Sequence, residues 1–208
     1  MEELSRRALE TKKKRDEKLW FFYPRPKYPS VSLTGTSCEF DCDFCGGRYL
    51  EGMVGVETPE ELYDFCRSLD SEGGNGVLLS GGYNEEGYVP FEPYLDAVSK
   101  IKEETNLFVS AHTGLLPEGL IRGLGKAGID EVDLDFVSDG ETIRKRIDPS
   151  LSEEDYRRTL EVVSENITHI APHVTLGLSG TGLSEERGAV DVLSEHYFSV
   201  LFLLVLIP

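Results

Sequence analysis

The feature that most constrains the fold is a regular alternation of short apolar runs with amphipathic segments. Six runs have the length and composition of β-strands: residues 31–35, 76–82, 107–112, 131–137, 173–178 and 199–208. Segments with helical periodicity separate these runs. Repeated strand and helix units predict an α/β domain with a parallel sheet, because parallel neighbours need a crossover connection.

Helix starts are marked by capping residues. Thr58, Pro59 and Glu61 in TPEELYDFCRSL supply an N-cap, a proline at the first helical position and a capping-box acid. Ser152 and Ser184, each followed by two glutamates, predict two further starts. These boundaries place helices between the predicted strands.

The strands could form an open doubly wound sheet or a barrel. The first strand is not followed by a GxGxxG turn, which favours the barrel. We therefore predict a partial (β/α)6 TIM-like barrel of parallel strands, apparently truncated after the sixth strand, since the sequence stops at Pro208 with no helix to cover a strand that should be buried. In either architecture the functional residues lie at the carboxyl ends of the strands.

The 208 residues suit one core domain, predicted over 30–208, preceded by a charged helix and a proline-rich extended lead-in over 1–29. The net charge of −17 argues against a nucleic-acid partner. The charged N-terminal residues do not resemble a signal peptide, so a cytoplasmic location is expected. The apolar run 197–208 is shorter than the roughly 18 residues of a membrane span, and no membrane partner is expected.

Three cysteines, Cys38, Cys42 and Cys45, fall within the stretch SCEFDCDFCGG. Structural zinc and ordinary iron–sulfur clusters both take four protein ligands. Three thiolates on a [4Fe–4S] cluster would leave one iron open to a small molecule. A zinc site completed by a distant histidine is the alternative. Cys66 lies on the apolar face of its helix and is predicted to be a core residue.

The segment CEFDCDFC resembles the CxxxCxxC signature of the radical S-adenosylmethionine (SAM) superfamily, including Phe44 before the last cysteine. This resemblance implies a [4Fe–4S] cluster held by Cys38, Cys42 and Cys45, with SAM on the open iron. It also implies reductive cleavage of SAM to a 5′-deoxyadenosyl radical, which abstracts hydrogen from a small-molecule or carrier-protein substrate, and a low-potential electron donor. CGGRYLEGMVGVETPEEL and SAHTGL resemble archaeal proteins related to biotin synthase.

The second predicted strand runs into LLSGGYNEEG, which resembles the GGE motif that contacts the methionine part of SAM in this superfamily. The resemblance implies cofactor contacts at Ser80, Gly81, Gly82 and Tyr83. Tyr83 occupies the position at which the motif has an acid, and Glu85 is the candidate substitute. Glycine fits this motif because it lets the backbone approach a ligand closely.

Further cofactor contacts are implied near later strand ends. Polar contacts to the ribose of SAM are implied at Asp135, Ser138 and Asp139, which lie where superfamily members commonly place them. Gly177 lies in a segment that resembles the one packing against adenine. His112 ends the third predicted strand, where it could contact SAM or substrate or be an ordinary hydrogen-bonded histidine.

The acids of EVDLDFV raise a separate expectation. Asp133 and Asp135 alternate with apolar residues, so both should face the barrel interior. Acids are costly there unless they are paired. His173 on the next strand could also take part in a functional site.

Two other functions are kept open. Biotin synthase and lipoyl synthase insert sulfur with a second cluster, and this chain has only Cys66 left for one. A component of an archaeal two-protein lipoyl synthase is therefore the first alternative. A non-catalytic zinc-binding interaction module is the alternative from another class.

Overall fold

The structure, a computed structural model, describes residues 6, 10, 23–40, 42, 45–180 and 182–206, with the backbone only for Ser184. The strands in this part of the chain are β1 Ser30–Ser32, β2 Val54–Gly55, β3 Gly76–Ser80, β4 Phe108–His112, β5 Glu131–Asp135, β6 His169–Leu176 and β7 Phe202–Val205. The longer helices are α1 Pro59–Ser71, α2 Leu95–Glu104, α3 Glu118–Ala127, α4 Glu153–Asn166 and α5 Ser184–Leu193. Short helical segments lie at Leu50–Gly52, Glu92–Tyr94, Gly140–Thr142 and Ile143–Ile147.

All strand pairs are parallel, and the sheet order is β2-β1-β3-β4-β5-β6-β7. The order advances in one direction from β1 to β7, whereas a doubly wound sheet reverses its direction. Since parallel crossovers are right-handed, this order places the helices on one face of the sheet and leaves the other face as the barrel interior. The predicted parallel α/β fold is confirmed, and β2 is a two-residue strand that the sequence pattern did not predict.

Two of the three predicted helix caps are present. Thr58 Oγ1 accepts a hydrogen bond of 3.2 Å from the N–H of Glu61, and Ser152 forms a capping box with Asp155. Ser184 is the first residue of α5 instead of its N-cap.

The two faces of the sheet differ in polarity, as β5 shows. Val132 and Leu134 are fully buried in the hydrophobic core beneath the helices. Glu131, Asp133 and Asp135 occupy the alternate positions and face the interior. The prediction that Asp133 and Asp135 share one side is confirmed, because both lie near the side chain of His173 on β6.

The last strand departs from its prediction. Residues 199–208 were expected to form a buried strand, but Phe202–Val205 is exposed along its whole length, with Val205 at 69%. β7 is the last strand of the sheet among the described residues and pairs with β6, and its four side chains are exposed.

The lead-in packs beneath the barrel. Residues 25–27 form a turn, closed by the N–H of Tyr28 donating to the carbonyl of Pro24, where an extended segment was predicted. The Tyr28 hydroxyl donates to Ser110 Oγ at 3.0 Å on the interior face of β4. Most of the predicted N-terminal helix lies outside the described residues. In the part of the chain that the structure describes, no helix has the length and hydrophobicity of a transmembrane span.

Candidate functional site

The three clustered cysteines lie in the loop that follows β1, at the carboxyl edge of the sheet. The carbonyl of Cys42 accepts hydrogen bonds from the N–H groups of Cys45 and Gly46, at 3.0 and 2.9 Å. This turn keeps Cys42 and Cys45 on one short segment, and all three cysteines are half-buried. Phe44, which the resemblance implicates, lies outside the described residues.

The loop after β3 packs directly on the cysteine loop. A Cβ atom on Gly82 would lie 2.0 Å from the carbonyl oxygen of Ser37 and 2.6 Å from Cα of Cys38, so only glycine fits. The next residue, Tyr83, donates its backbone N–H to the Cys38 sulfur at 3.3 Å. Thr34 ties the two loops together, because its Oγ1 donates to the Ser37 carbonyl and accepts from the Gly82 N–H.

The other residues of the GGE-like segment have different surroundings. Ser80 is buried at the end of β3, and its carbonyl accepts a hydrogen bond from the N–H of Leu33. Gly81 packs tightly against the Thr34 side chain. Glu85 is exposed on the turn that follows Tyr83. The structure therefore shows that Gly82 and Tyr83 lie against Cys38. Contact of this segment with SAM stays a prediction.

A cleft beside the cysteine loop is lined by Tyr83, Asp135 and Tyr156, together with Gly87, Gly114, Leu115, Ile147 and Leu151. The Tyr83 ring meets Phe40 of the cysteine loop edge to face, with ring centroids 5.6 Å apart. Burial, reinforced by the charge of Asp135, raises the pKa of Tyr83 well above its ordinary value, and that of Tyr156 as well. Both phenols therefore stay neutral. Sequence reasoning missed Tyr156 because it resembles any aromatic on the apolar face of α4.

A cluster of two histidines and a carboxylate lies on three neighbouring strands at this cleft. His112 Nε2 on β4 lies 3.1 Å from Asp135 Oδ2 on β5, and His173 Nδ1 on β6 lies 3.7 Å from Asp135 Oδ1. The two imidazole rings are stacked, with centroids 5.3 Å apart. Asp133 approaches from one level below, with Oδ1 3.9 Å from His173 Nε2. The structure thus unites two predicted residues, His112 and Asp135, with His173.

The ionisation of this cluster follows from burial and pairing. Burial alone would lower the pKa of His112 and raise that of Asp135, but their mutual attraction outweighs it, and the pKa moves up for His112 and down for Asp135. Burial and the neighbouring His112 charge lower the pKa of His173 to about 4. Burial raises the pKa of Asp133 to about 7. At neutral pH His173 is therefore uncharged beside an ionised Asp135.

The predicted ribose contacts Ser138 and Asp139 lie just beyond the end of β5. Ser138 Oγ donates to the carbonyl of Glu185 in α5 at 3.1 Å. Asp139 caps the short helix at Gly140–Thr142, since its Oδ2 accepts from the N–H of Thr142 at 2.6 Å. Asp139 therefore has a structural role in this structure, and its contact with ribose stays a prediction.

Gly177, the predicted adenine contact, is exposed beyond the end of β6 with φ +90°, and apart from its chain neighbours no described residue has an atom within 4 Å of the place where a Cβ would be. Its N–H donates to Glu186 Oε1 at 2.9 Å. Glu186 is buried, and no described residue donates to its other oxygen, Oε2. Acids are common in the first turn of a helix, so no sequence signal distinguished Glu186.

Comparisons with known proteins agree on one family. A model described as Radical SAM superfamily matches residues 32–192. A tRNA-2-methylthio-N(6)-dimethylallyladenosine synthase from Caldicellulosiruptor saccharolyticus is 28% identical over 77% of this chain and 36% of its own length. A biotin synthase from Syntrophotalea carbinolica is 30% identical over 64% of this chain and 41% of its own. The chain thus spans about two fifths of these curated relatives or less.

Among solved structures, methylornithine synthase superposes with a TM-score of 0.68 at 16% identity, covering 87% of this chain and 53% of that one. This likeness supports the predicted barrel-like arrangement of the sheet and its helices.

Proposed function

Because this chain belongs to the radical SAM superfamily, we propose that it is an enzyme, or the barrel portion of one, that binds a [4Fe–4S] cluster and SAM and abstracts hydrogen from a substrate. When bound, the cluster would supply the electron that cleaves SAM to methionine and a 5′-deoxyadenosyl radical. The observation that carries this proposal is the packing of the cysteine loop on Gly82 and Tyr83, with the Tyr83 N–H on the Cys38 sulfur.

The residues present fit a three-thiolate cluster. Cys38, Cys42 and Cys45 come from one short loop, and the backbone N–H of Tyr83 donates to the Cys38 sulfur at 3.3 Å, which fixes the position of this thiol beside the loop after β3. Groups that hydrogen-bond to a metal ligand or to its loop hold that ligand in position. Here Tyr83 donates to the Cys38 sulfur and Thr34 to the carbonyl of the preceding residue, so the two would orient Cys38.

We place SAM across the carboxyl ends of the strands, from the cysteine loop toward Gly177. The space beside Gly177 leaves room for a flat ring, and Glu186 Oε2 is a buried acceptor nearby that a hydroxyl or amino group of the nucleoside could satisfy. Ser138 lines the same depression as Glu186. The contacts predicted at Ser80, Gly81, Asp135 and Asp139 belong to this placement.

The chain's own residues would also shield the reaction. The neutral rings of Tyr83 and Tyr156 line the cleft beside the cysteine loop, where they would exclude water from a bound substrate. Asp135 lines this cleft at the end of β5, and His112 lies beside it at 3.1 Å, so we propose that these two residues contact SAM or substrate there.

The reaction is proposed at the level of the superfamily, with a low-potential electron donor and a small-molecule or carrier-protein substrate. Identity to a biotin synthase and to a tRNA-modifying synthase is of similar extent, so neither substrate is assigned. A place in the archaeal biotin synthase-related branch, or in a two-protein lipoyl synthase, is a narrower form of the proposal. The lipoyl synthase role would require a second cluster. Cys66, the one cysteine outside the loop after β1, is fully buried in the core, so other ligands would have to hold that cluster.

Anaerobic reconstitution with iron and sulfide tests the proposal. We expect about four cluster irons per chain and an iron–sulfur absorption that changes when SAM is added. Cys38→Ala should abolish both. Cys66→Ala is the matched control and should retain both, because Cys66 is remote from the loop and packed in the core.

Two results would contradict this assignment. One is an iron–sulfur spectrum in the Cys38→Ala variant that equals that of the parent protein. The other is zinc at the three cysteines with no affinity for SAM, which is the expectation of the non-catalytic module.

A further inference from the structure

We propose that His112, Asp135 and His173 form a second metal site, independent of the cysteines, for one divalent first-row transition-metal ion. His112 and Asp135 end β4 and β5, and His173 lies opposite Asp135 within β6, so backbone hydrogen bonding between the strands fixes their spacing. One ligand atom from each residue lies within 4.8 Å of the other two. The proposal goes beyond the proposed function, which requires only the cluster and SAM. With an ion bound, His112 and Asp135 would act on SAM or substrate through that ion instead of by direct contact.

The distances suit an ion between the side chains. Ligand atoms about 2.1 Å from one ion are roughly 3.0 to 4.2 Å apart, depending on the bond angle. The 3.1 Å from His112 to Asp135 and the 3.7 Å from His173 to Asp135 both fall in this range. The two histidines approach different oxygens of the carboxylate, so both oxygens of Asp135 would face one ion, and the ligand atoms of the two histidines lie within 4.8 Å of each other.

His173 distinguishes a metal site from an ordinary hydrogen-bonded network. Its side chain is 15% exposed, yet no described residue lies within hydrogen-bond distance of either ring nitrogen. Its nearest polar neighbours are the carboxylates of Asp133 and Asp135, at 3.9 and 3.7 Å. A cation would bind the imidazole lone pair and be compensated by these two acids, which lie too far away to accept a direct hydrogen bond.

The chemistry of the ligand set defines the ion. Two imidazoles and one carboxylate suit zinc, iron(II) and their neighbours better than magnesium or calcium, which prefer oxygen. Three protein ligands leave at least one position for an outside ligand. Asp135 lines the cleft, and Phe202 packs its ring on His173, 4.9 Å away and edge to face, so the open position points toward the cleft. An ion there could bind an oxygen or nitrogen atom of the substrate.

Zinc is the probe for this site, because bound zinc adds no absorption to that of the iron–sulfur cluster. The reconstituted chain is titrated with zinc under anaerobic conditions, and bound metal is measured by calorimetry and by elemental analysis. We expect about one zinc per chain, and at least tenfold weaker binding in His173→Ala and Asp135→Asn. His169→Ala, on the same face of β6 but bonded to Ser199, should bind zinc like the parent.

The variant with Cys38, Cys42 and Cys45 all changed to alanine separates this proposal from the proposed function. Retention of one zinc in that variant supports the site whether or not a cluster forms in the parent. Loss of zinc there, or equal binding by His173→Ala, overturns it.

The absorption spectrum of bound cobalt(II) is a second test of this site, and it needs no histidine variant. In the chain without the three cysteines, ligand-field bands of bound cobalt support a nitrogen and oxygen site. Absence of such bands at saturating cobalt overturns the proposal even if the histidine variants fail to fold.

Discussion

Replacing Gly82 with alanine should prevent cluster assembly while leaving most of the barrel folded. The added Cβ would lie 2.0 Å from the Ser37 carbonyl oxygen and 2.6 Å from both Cα and Cβ of Cys38. All of these atoms belong to the cysteine loop, so the loop must move away from β3.

The size of the movement follows from these contacts. A normal carbon contact needs roughly 3.4 Å or more, so the Ser37–Cys38 backbone must shift by roughly 1 Å. Ligand distances in a metal centre tolerate about 0.2 Å, so this displacement removes Cys38 from ligand geometry. It also lengthens the hydrogen bond from Tyr83 to the Cys38 sulfur beyond its present 3.3 Å. Overpacking of this kind costs about 1–3 kcal/mol of folding stability.

The assay is iron content and iron–sulfur absorption after anaerobic reconstitution, alongside a thermal unfolding curve. Gly82→Ala should bind less than one tenth of the parent's cluster iron. Gly119→Ala is the control, since Gly119 is exposed on α3 with nothing within 4 Å of an added Cβ, and it should bind the full amount. Full cluster occupancy in Gly82→Ala would refute the role assigned to this close approach.

Three further perturbations test other parts of the structure. Asp133 keeps its proton up to about pH 7 in the folded state and loses it near pH 3.8 when unfolded, so the free energy of unfolding should fall by on the order of 4 kcal/mol as pH rises between these values. Urea unfolding of the metal-free protein at several pH values should show a smaller pH dependence of stability in Asp133→Asn. An unchanged pH dependence would contradict the assignment of this pKa shift to burial. Thr58→Ala should cost about 1 kcal/mol in the same assay, because the cap of α1 is lost, whereas no change would mean that water replaces it. Glu186→Gln should weaken SAM binding about tenfold by calorimetry without lowering cluster content, and parent-like affinity would remove Glu186 from the proposed SAM site.

Much of the fold could be predicted from local sequence patterns. The strand runs, the Thr58 and Ser152 caps and the core position of Cys66 depend on neighbours one to four residues away, so a single segment contains the whole signal. The strand at Val54–Gly55 was missed because two residues are too few for a periodic pattern. The exposure of Phe202–Val205 could not be predicted from its apolar sequence, because exposure depends on which elements cover the strand.

The sequence alone determined that three thiols occupy one loop after the first strand, because their spacing is local. Only the tertiary structure decided what surrounds them: Gly82 and Tyr83 reach Cys38 from 44 and 45 residues away, and His112, Asp135 and His173 meet across three strands. Strand register and loop packing set these distances. They are fixed by backbone hydrogen bonds and contacts between distant segments, which no pattern within one segment encodes.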